Sequence, residues 1–485
     1  MSTISRRGLL GRGAVVAGGA AVSTSAAQAL MSRNAYAAPG NRGRAGKGDG
    51  GYGPLRPAGD ELALPAGFTY VKFGVEGSIM SDGNPTPKAH DGMAALPLPN
   101  GNVRLIRNHE DRDTAANSIV KGDPSTAYDE RGGGSTTSLE VEPGGDRELV
   151  RDFISLNGTI VNCAGGPTPQ NSWITCEETT AGQTQGFAED HGYNFEVPAS
   201  AEDEVEAVPL KAMGRFVHEA IAVDPRTGIV YETEDRGTSG FYRFIPAGSG
   251  GPGNAPPGRG GPPGSRGGTV DLSAGGKLQM LAIKGRPDYD TRTGQRVGKP
   301  LPVRWVDIED PDPSAAETNP LAVFEQGKEE GGATFSRLEG CWYGDGSVFF
   351  AATDGGDAEL GQVWQYRPRG NSGGQLILLF ESRSADQLDA PDNVTVTPGG
   401  GIILCEDGDG DQFLRGLTQR GRIFDFAQNI NNDPDDAREF AGATFSPDGE
   451  TLFVNIQGDT RGPGRPEVEP GMTFAIWGPF EDGAL

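Results

Sequence analysis

One short pattern recurs along this chain, and it constrains the fold more than any other feature of the sequence. The pattern is an acidic or amide residue, a short apolar strand, a turn, a second strand, and an acid about 15 residues after the first; the copy at 440–457 keeps the two strands and the turn. In the clearest copy, from Glu219 to Asp235, the letters DPRTG form a tight turn between two β-branched runs. Five further copies lie at 91–110, 162–177, 339–354, 392–407 and 440–457.

Six copies of a two-strand unit predict an all-β fold. Further strand-like stretches lie between the copies, for example at 241–246 and 361–368, so each repeat has room for about four strands. The chain has 77 glycines and 36 prolines among its 485 residues, which suits short strands and turns. A pair of β-sandwiches would not explain acids at the same two places of each unit. The pattern therefore predicts a six-bladed β-propeller.

The first 37 residues are typical of a twin-arginine export signal. They contain the letters SRRGLL at 5–10, a run that up to residue 32 is uncharged except for Arg12, and a small-x-small cleavage site at 35–37. The run is too weakly apolar to span a bilayer stably. We expect a periplasmic or secreted protein that meets the Tat translocase during export and has no stable association with a membrane.

The rest of the chain is expected to form one domain. A flexible lead-in is predicted at 38–60, followed by a single propeller at 61–485. The stretch 247–268 is rich in glycine and proline, cannot bury a core, and is predicted to be a flexible loop.

Composition limits the partners and the metal chemistry. The formal net charge of −25 disfavours binding to nucleic acid or anionic lipid and suits a protein that holds cations, although a generic solubility charge is the alternative. Four cysteines are too few for a disulfide scaffold, and with four histidines any metal site must consist mainly of carboxylates.

The recurring acids predict a metal site at the propeller channel. Inner strands line the channel, so opening acids face it and closing acids gather at one rim. Many carboxylates near one axis repel each other unless cations neutralise them, and oxygen ligands favour Ca²⁺ or another hard cation. For any single acid, solvation of a turn is the alternative. The opening set is Asp91, Glu219, Glu339 and Asp392, and the closing set is Glu177, Glu178, Glu234, Asp235, Asp354, Glu406 and Asp407.

A thiol stands beside two of these acids. Cys176 precedes Glu177 and Glu178, and Cys405 has the equivalent place in the fifth unit. A thiolate is a soft ligand, which would suggest iron or zinc, whereas a buried small hydrophobe or a disulfide is the structural alternative. The chain has no H-E-x-x-H motif, and no G-x-S-x-G nucleophile elbow is recognised between a strand and a helix, so catalysis by a serine nucleophile is poorly supported.

Four segments, at 162–178, 214–237, 336–344 and 389–408, resemble the PhoX family of secreted alkaline phosphatases. The resemblance implies a six-bladed propeller whose rim holds an oxygen-bridged iron pair, with calcium ions alongside, and which hydrolyses phosphate monoesters. Small phosphorylated molecules would then be the substrates, and we expect a monomer.

The resemblance also implies roles for individual residues. It makes Cys176 the thiolate ligand of iron, Glu219 and Glu339 its carboxylate ligands, and Arg337 the contact to substrate phosphate. Calcium ligands would come from three acidic runs, at Glu177, Glu178, Glu234, Asp235, Glu406 and Asp407.

Two other functions stay open at this point. A calcium-dependent esterase or lactonase would use carboxylates and asparagine around one Ca²⁺ and would need no thiolate. A non-catalytic propeller stabilised by calcium would bind a partner or a surface sugar and hydrolyse nothing.

Overall fold

Antiparallel β-strands make up almost all of the regular structure in the computed structural model. The described residues are 51–248, 271–370, 372–431, 438–462 and 470–485. The export signal predicted at 1–37 and nearly all of the loop predicted at 247–268 lie outside them.

The strands follow one another as three short N-terminal strands and six units. The N-terminal strands are β1 (Arg56–Pro57), β2 (Leu62–Leu64) and β3 (Thr69–Phe73). Unit one comprises β4 (His90–Pro97), β5 (Val103–His109), β6 (Gly134–Val141) and β7 (Leu149–Thr159), and unit two comprises β8 (Asn162–Pro167), β9 (Ser172–Glu177) and β10 (Asn194–Pro198). Unit three comprises β11 (His218–Val223), β12 (Val230–Glu234), β13 (Phe241–Pro246) and β14 (Gly276–Ile283), and β15 (Leu301–Asp307) follows it.

The second half continues in the same way. Unit four comprises β16 (Leu338–Gly344), β17 (Ser347–Ala352), β18 (Gln362–Pro368) and β19 (Gly374–Glu381). Unit five comprises β20 (Pro391–Val396), β21 (Ile402–Glu406), β22 (Phe413–Leu417) and β23 (Ile423–Asn429), and unit six comprises β24 (Phe440–Phe445), β25 (Thr451–Ile456) and β26 (Met472–Trp477). One α-helix in the described residues, α1 (Ala322–Glu329), lies before unit four, and single 3-10 turns lie at Gln183–Gln185, Lys211–Met213, Leu272–Ala274 and Phe480–Asp482.

Hydrogen bonds join these strands into five sheets. Units three and four share one nine-stranded sheet because β15 pairs with β19, whereas β2 and β1 extend the sheet of unit five. In unit six, β26 pairs with β3, so Thr473 lies opposite Phe73. The last unit thus contains a strand from each end of the chain, which closes the ring.

The first strand of each unit lines the centre. The inner strands β4, β8, β11, β16, β20 and β24 pack on one another in this order, and β24 returns to β4. The all-β propeller fold is confirmed, and the two strands of each predicted repeat are the two innermost strands of a unit.

Apolar side chains fill the space between neighbouring units. Some second strands are covered on both faces and are continuous apolar runs, as in β17 with the letters SVFFAA. Phe241 of unit three stacks on Phe350 of unit four with ring centroids 4.3 Å apart. Such contacts fix the spacing of the units and thereby the inner ring.

The described part of the predicted lead-in is attached to the propeller. Tyr52 packs edge-on against Phe68 and Phe426, and its hydroxyl donates to the Phe480 carbonyl over 2.8 Å. Arg56 and Pro57 pair with β2. The structure thus ties Tyr52, Arg56 and Pro57 to the propeller, within a segment for which the sequence predicts flexibility. Among the described helices, none has the length and apolar character needed to cross a membrane.

Candidate metal centre

Each inner strand carries a β-bulge near its start. Two bulge residues interrupt the regular pairing of the inner strand with the second strand, and such bulges re-aim side chains. In unit six the bulge comes one residue later, at Gly442 and Ala443, and offers no ligating side chain. The first bulge residues of units one to five are Asp91, Cys163, Glu219, Glu339 and Asp392.

The second bulge residue is glycine or alanine in units one to four, because the inner backbones lie very close together there. A Cβ added to Gly92 would be 2.5 Å from the Cα of Ala164, and one added to Gly340 would be 2.4 Å from the amide nitrogen of Val394. This close approach brings the five preceding side chains toward one axis.

The converging side chains form a chain of overlapping ligand groups. In each group, one ligand atom per residue lies within 4.8 Å of the others. Neighbouring groups share a residue, so the whole set, here called the acid cluster, is continuous from unit one to unit six. The groups are Asp91, Glu110 and Cys163; Cys163, Glu178 and Glu219; Glu219, Glu339 and Asp392; and Asp392, Asp407 and Glu439.

The middle of the acid cluster has the donor set that a cation requires. The Cys163 thiol donates to Glu219 Oε1 over 3.1 Å, while Glu219 Oε2 and Glu339 Oε2 are buried and have no hydrogen-bond partner among the described residues. Burial, together with the nearby carboxylates of Glu339 and Asp392, raises the pKa of Glu219 well above its usual range. Buried carboxylate oxygens without donors are costly, and a bound cation would satisfy them.

The closing acids come in pairs whose members face opposite ways. Glu177, Glu234 and Glu406 each end a second strand, and the next residue lies at the channel rim. Successive side chains of a strand point to opposite faces, so only one member of each pair reaches the cluster. Glu178 and Asp407 belong to the ligand groups, and Asp235 shares the Arg337 guanidinium with Glu339, another member of these groups.

Both carboxylate oxygens of Glu177 accept hydrogen bonds from other residues of the protein. Its Oε1 accepts from His191 Nδ1 over 2.6 Å and from the Ile160 amide over 3.0 Å, and its Oε2 accepts from the Gly192 amide over 2.8 Å. The other ring nitrogen of His191 lies 3.3 Å from Asp129 Oδ2. Burial opposes charge on His191, but the two carboxylates outweigh it and raise its pKa to about 9.

Glu234 and Glu406 are held in the same way. Glu234 Oε2 accepts from the Tyr242 hydroxyl over 2.8 Å, and Glu406 Oε1 accepts from Arg415 Nε over 2.8 Å. Burial raises the pKa of each glutamate to about 7. Neither belongs to a ligand group, so the structure does not bring Glu177, Glu234 or Glu406 into the acid cluster.

Arg337 lies at the rim beside the middle of the cluster. Its guanidinium binds both oxygens of Asp235, at 2.9 and 3.1 Å, and Glu339 Oε1 at 2.6 Å. Its φ of 41° is in the left-handed region, which is uncommon for a residue with a side chain. Val161 and Ala390, two residues before the ligands of their units, share this conformation with φ of 51° and 50°.

Arg112 bridges two acids on the side of the acid cluster that units one and two form. Its guanidinium contacts Glu110 and Glu178, and it is about one fifth exposed. It lines a pocket of about 320 Å³ together with Glu178, Asp235 and Arg236. It also lines an adjacent cleft of about 1110 Å³ that contains Lys88 and Lys121. A larger basin of about 1160 Å³ around Trp342, Arg420 and Arg422 lies on the opposite face and holds no member of the acid cluster.

The family of the chain follows from its sequence. A family model described as alkaline phosphatase PhoX matches residues 50–459. This chain belongs to the PhoX alkaline phosphatase family. The resemblance and the enzyme class predicted from the four sequence segments are thereby confirmed.

One known structure agrees with the fold of this PhoX family member. The structure of Pseudomonas fluorescens PhoX with vanadate, a transition-state analogue, is 18% identical, covers 89% of this chain and 98% of that chain, and has a TM-score of 0.63. A gluconolactonase from Xanthomonas campestris is 11% identical, covers 87% of this chain and 99% of that chain, and has a TM-score of 0.37. No curated protein matches the sequence significantly.

In this PhoX family member the thiol at the cluster is Cys163, which corrects the expected position of Cys176. Cys176 lies in an apolar cluster with Ile174, Met213 and Phe216, and burial raises the pKa of its thiol. Cys163 Sγ lies 3.1 Å from Glu219 Oε1 and 3.6 Å from Asp91 Oδ2. The reason is the bulge, which aims Cys163 at the channel, whereas Cys176 faces unit three.

Three further cluster members were not proposed as ligands from the sequence. Cys163 is the first residue of a bulge, and Glu110 directly follows the second strand of unit one. Glu439 directly precedes β24, the inner strand of unit six. A signal for Cys163 was present, because four of the five bulge ligands precede glycine or alanine. In unit four, the residue that directly follows the second strand is Thr353. Asp354 lies one residue further along the chain and is in none of the ligand groups found among the described residues.

Proposed function

We propose that this chain hydrolyses phosphate monoesters at the acid cluster, using bound iron and calcium. The observation that carries the proposal is the pair of buried, unpartnered oxygens on Glu219 and Glu339, next to the Cys163 thiol. Thiolate with carboxylates suits iron, and oxygen-only groups suit calcium. Family membership supports phosphate esters as the substrate class.

The donor types suggest which residues would hold which cation. Cys163, Glu219 and Glu339 would hold iron, whereas the oxygen-only group of Asp392, Asp407 and Glu439 suits calcium. Asp91, Glu110 and Glu178 flank the thiol and would complete the coordination on that side. When bound, such cations would offset negative charge on the phosphate and lower the pKa of a bound water.

The arginines at the rim would bind the phosphate. Arg337 is held in place by Asp235 and Glu339, so its orientation is fixed before substrate arrives. Arg236 lines the pocket of about 320 Å³ that also contains Glu178 and Asp235. A guanidinium suits the planar, bidentate recognition of phosphate oxygens and would offset charge that develops on them.

Export, domain organisation and oligomeric state complete the proposed function. We infer that residues 1–37 direct export through the Tat translocase, that residues 61–485 act as one propeller domain, and that the periplasmic or secreted protein is a monomer. Export in the folded state would allow iron to be acquired before translocation. Replacing the first 37 residues by a signal for unfolded export should then yield exported protein that is poor in iron.

Natively exported protein provides the main test. We expect iron and calcium by elemental analysis, and hydrolysis of p-nitrophenyl phosphate that is lost in Glu219→Gln, Glu339→Gln and, by at least tenfold in kcat/KM, Arg337→Gln. Arg420→Gln is the matched control on the opposite face and should keep full activity. Metal-loaded, folded protein without hydrolysis of any phosphate monoester would overturn the proposal. Hydrolysis of a lactone that persists in Cys163→Ala would instead support the calcium-dependent lactonase.

A further inference from the structure

Gln457 takes, in unit six, the place at which four other units carry an acid. Its backbone amide donates to the carbonyl of Glu439, the residue that directly precedes the inner strand β24. The same hydrogen bond recurs in the other units, where the donors are Glu110, Glu178, Asp235, Thr353 and Asp407 and the acceptors are Ala89, Val161, Val217, Arg337 and Ala390. The channel rim therefore has six equivalent closing places, and Gln457 puts a neutral amide at one of them.

The side chain of Gln457 joins two members of the acid cluster. Its Nε2 donates to Asp91 Oδ2 over 2.7 Å and to Glu110 Oε2 over 2.9 Å, and the residue is buried. Asp91 and Glu110 belong to the same ligand group as Cys163. Unit six also fixes the backbone of this group, because Asn455 Nδ2 donates to the Asp91 carbonyl over 2.6 Å.

We propose that Gln457 is a positioning residue that holds Asp91 and Glu110 together as a preformed pair of ligands for one hard divalent cation. This inference rests on the proposed metal function. Two buried carboxylates repel each other, and the amide offers one N–H to each without adding charge. A lysine or arginine here would cancel part of the negative charge that attracts the cation. The neutral amide orders the pair without adding to the positive charge of Arg112, which already contacts Glu110.

Two substitutions of Gln457 separate this role from a packing role. Gln457→Leu removes both donors, so the carboxylates are no longer held, and outer hydrogen bonds of this kind are worth roughly 10- to 100-fold in metal affinity. Gln457→Glu cannot donate to the pair but adds a carboxylate ligand beside it. Both variants remove the donors, but the added ligand in Gln457→Glu should more than offset that loss, so the two should shift calcium affinity in opposite directions. A glutamine that only packs would leave calcium affinity unchanged in Gln457→Leu.

The experiment is equilibrium dialysis of the exported, iron-loaded protein at graded free Ca²⁺, with bound calcium and iron measured by elemental analysis. For Gln457→Leu we expect one calcium per chain to need at least tenfold more free Ca²⁺, and for Gln457→Glu we expect the same ion to need less. Gln365→Leu is the matched control, because Gln365 is a buried glutamine in unit four whose amide donates to Ser347.

The outcomes decide between this inference and the proposed function. Calcium curves of Gln457→Leu that superimpose on the wild type would overturn the positioning role while phosphate-ester hydrolysis stands. Opposite shifts in a protein that hydrolyses no phosphate ester would support the positioning role and reject the proposed hydrolysis.

Discussion

Cys163 and Cys176 lie 13 residues apart in the same unit, yet they occupy opposite chemical environments. Both are fully buried, and burial raises the pKa of both thiols. Cys163 begins a bulge and touches Glu219, whereas Cys176 sits in a regular strand among apolar side chains. The bulge therefore decides which thiol can meet a cation.

The two adjacent glutamates at the end of β9, Glu177 and Glu178, also occupy contrasting environments. Glu177 and Glu178 are adjacent, but Glu177 is enclosed by His191 and backbone amides while Glu178 joins the ligand groups. Alternation along a strand is sufficient to explain the difference. In this unit, the same residue type is enclosed by the fold on one face and joins the acid cluster on the other.

The largest expected effect comes from exchanging the two thiols for hydroxyls. Because a bound metal supplies several kcal/mol to a phosphoryl transition state, we expect Cys163→Ser to lower kcat/KM on the order of 10³-fold. The same variant should lose iron and any visible absorption from a thiolate-bound ferric ion. Cys176→Ser places a hydroxyl in an apolar site and should cost stability but retain iron and activity. Iron content, absorption spectra and p-nitrophenyl phosphate hydrolysis are the measurements.

The reverse pattern would break the comparison. If Cys176→Ser lost iron while Cys163→Ser kept it, the thiol that ligates would be the one first expected from the sequence, and the geometry at the bulge would have no bearing on the metal.

A smaller effect is expected for the two adjacent glutamates. Glu177→Gln leaves the charged His191 with Asp129 as its single carboxylate, and breaking one arm of a buried ion pair costs about 3 kcal/mol of unfolding free energy. Glu178→Gln removes one of several mutually repelling carboxylates, so metal-free stability should change by about 1 kcal/mol or less. Urea unfolding of metal-free protein measures both. Equal destabilisation by the two variants would show that strand alternation does not divide their roles.

The sequence predicted the propeller well because its signals are local. Tight turns and apolar strand runs mark the inner hairpins of the units, and the structure has them at the same places. The opening acids were also found, since Asp91, Glu219, Glu339 and Asp392 are all bulge residues.

The assignment within each acidic run was harder for a physical reason. Whether Glu177 or Glu178 faces the channel depends on strand register, and register depends on where the bulge falls. Glu439 reaches Asp392 and Asp407 across the boundary between units five and six, which no pattern within one repeat encodes. These residues require the packed ring of units before their neighbours are known.

The pH dependence of the unfolding free energy tests the structural role of Glu177 and its partner His191. Because Glu177 and Asp129 raise the pKa of His191 to about 9, the stabilisation from this group is full below the unfolded pKa of about 6.5 and is lost as pH rises through 9. The unfolding free energy of the wild type should fall by about 1 kcal/mol per pH unit in this window relative to His191→Gln. Urea unfolding at pH 6, 7, 8 and 9 tests it, and parallel curves for the two proteins would contradict a charged His191.

The smallest expected effect concerns Glu439, which enters the cluster from outside the repeat pattern. Its carboxylate joins Asp392 and Asp407 in one ligand group, so Glu439→Gln should weaken one calcium by about tenfold, equal to about 1.4 kcal/mol. Glu406→Gln is the informative partner, since Glu406 binds Arg415 and should affect unfolding rather than calcium. Dialysis at graded free Ca²⁺ compares them. A calcium loss in Glu406→Gln that matched the one in Glu439→Gln would mean that both faces of the closing strand contribute ligands, because alternation along that strand would then no longer separate metal binding from folding.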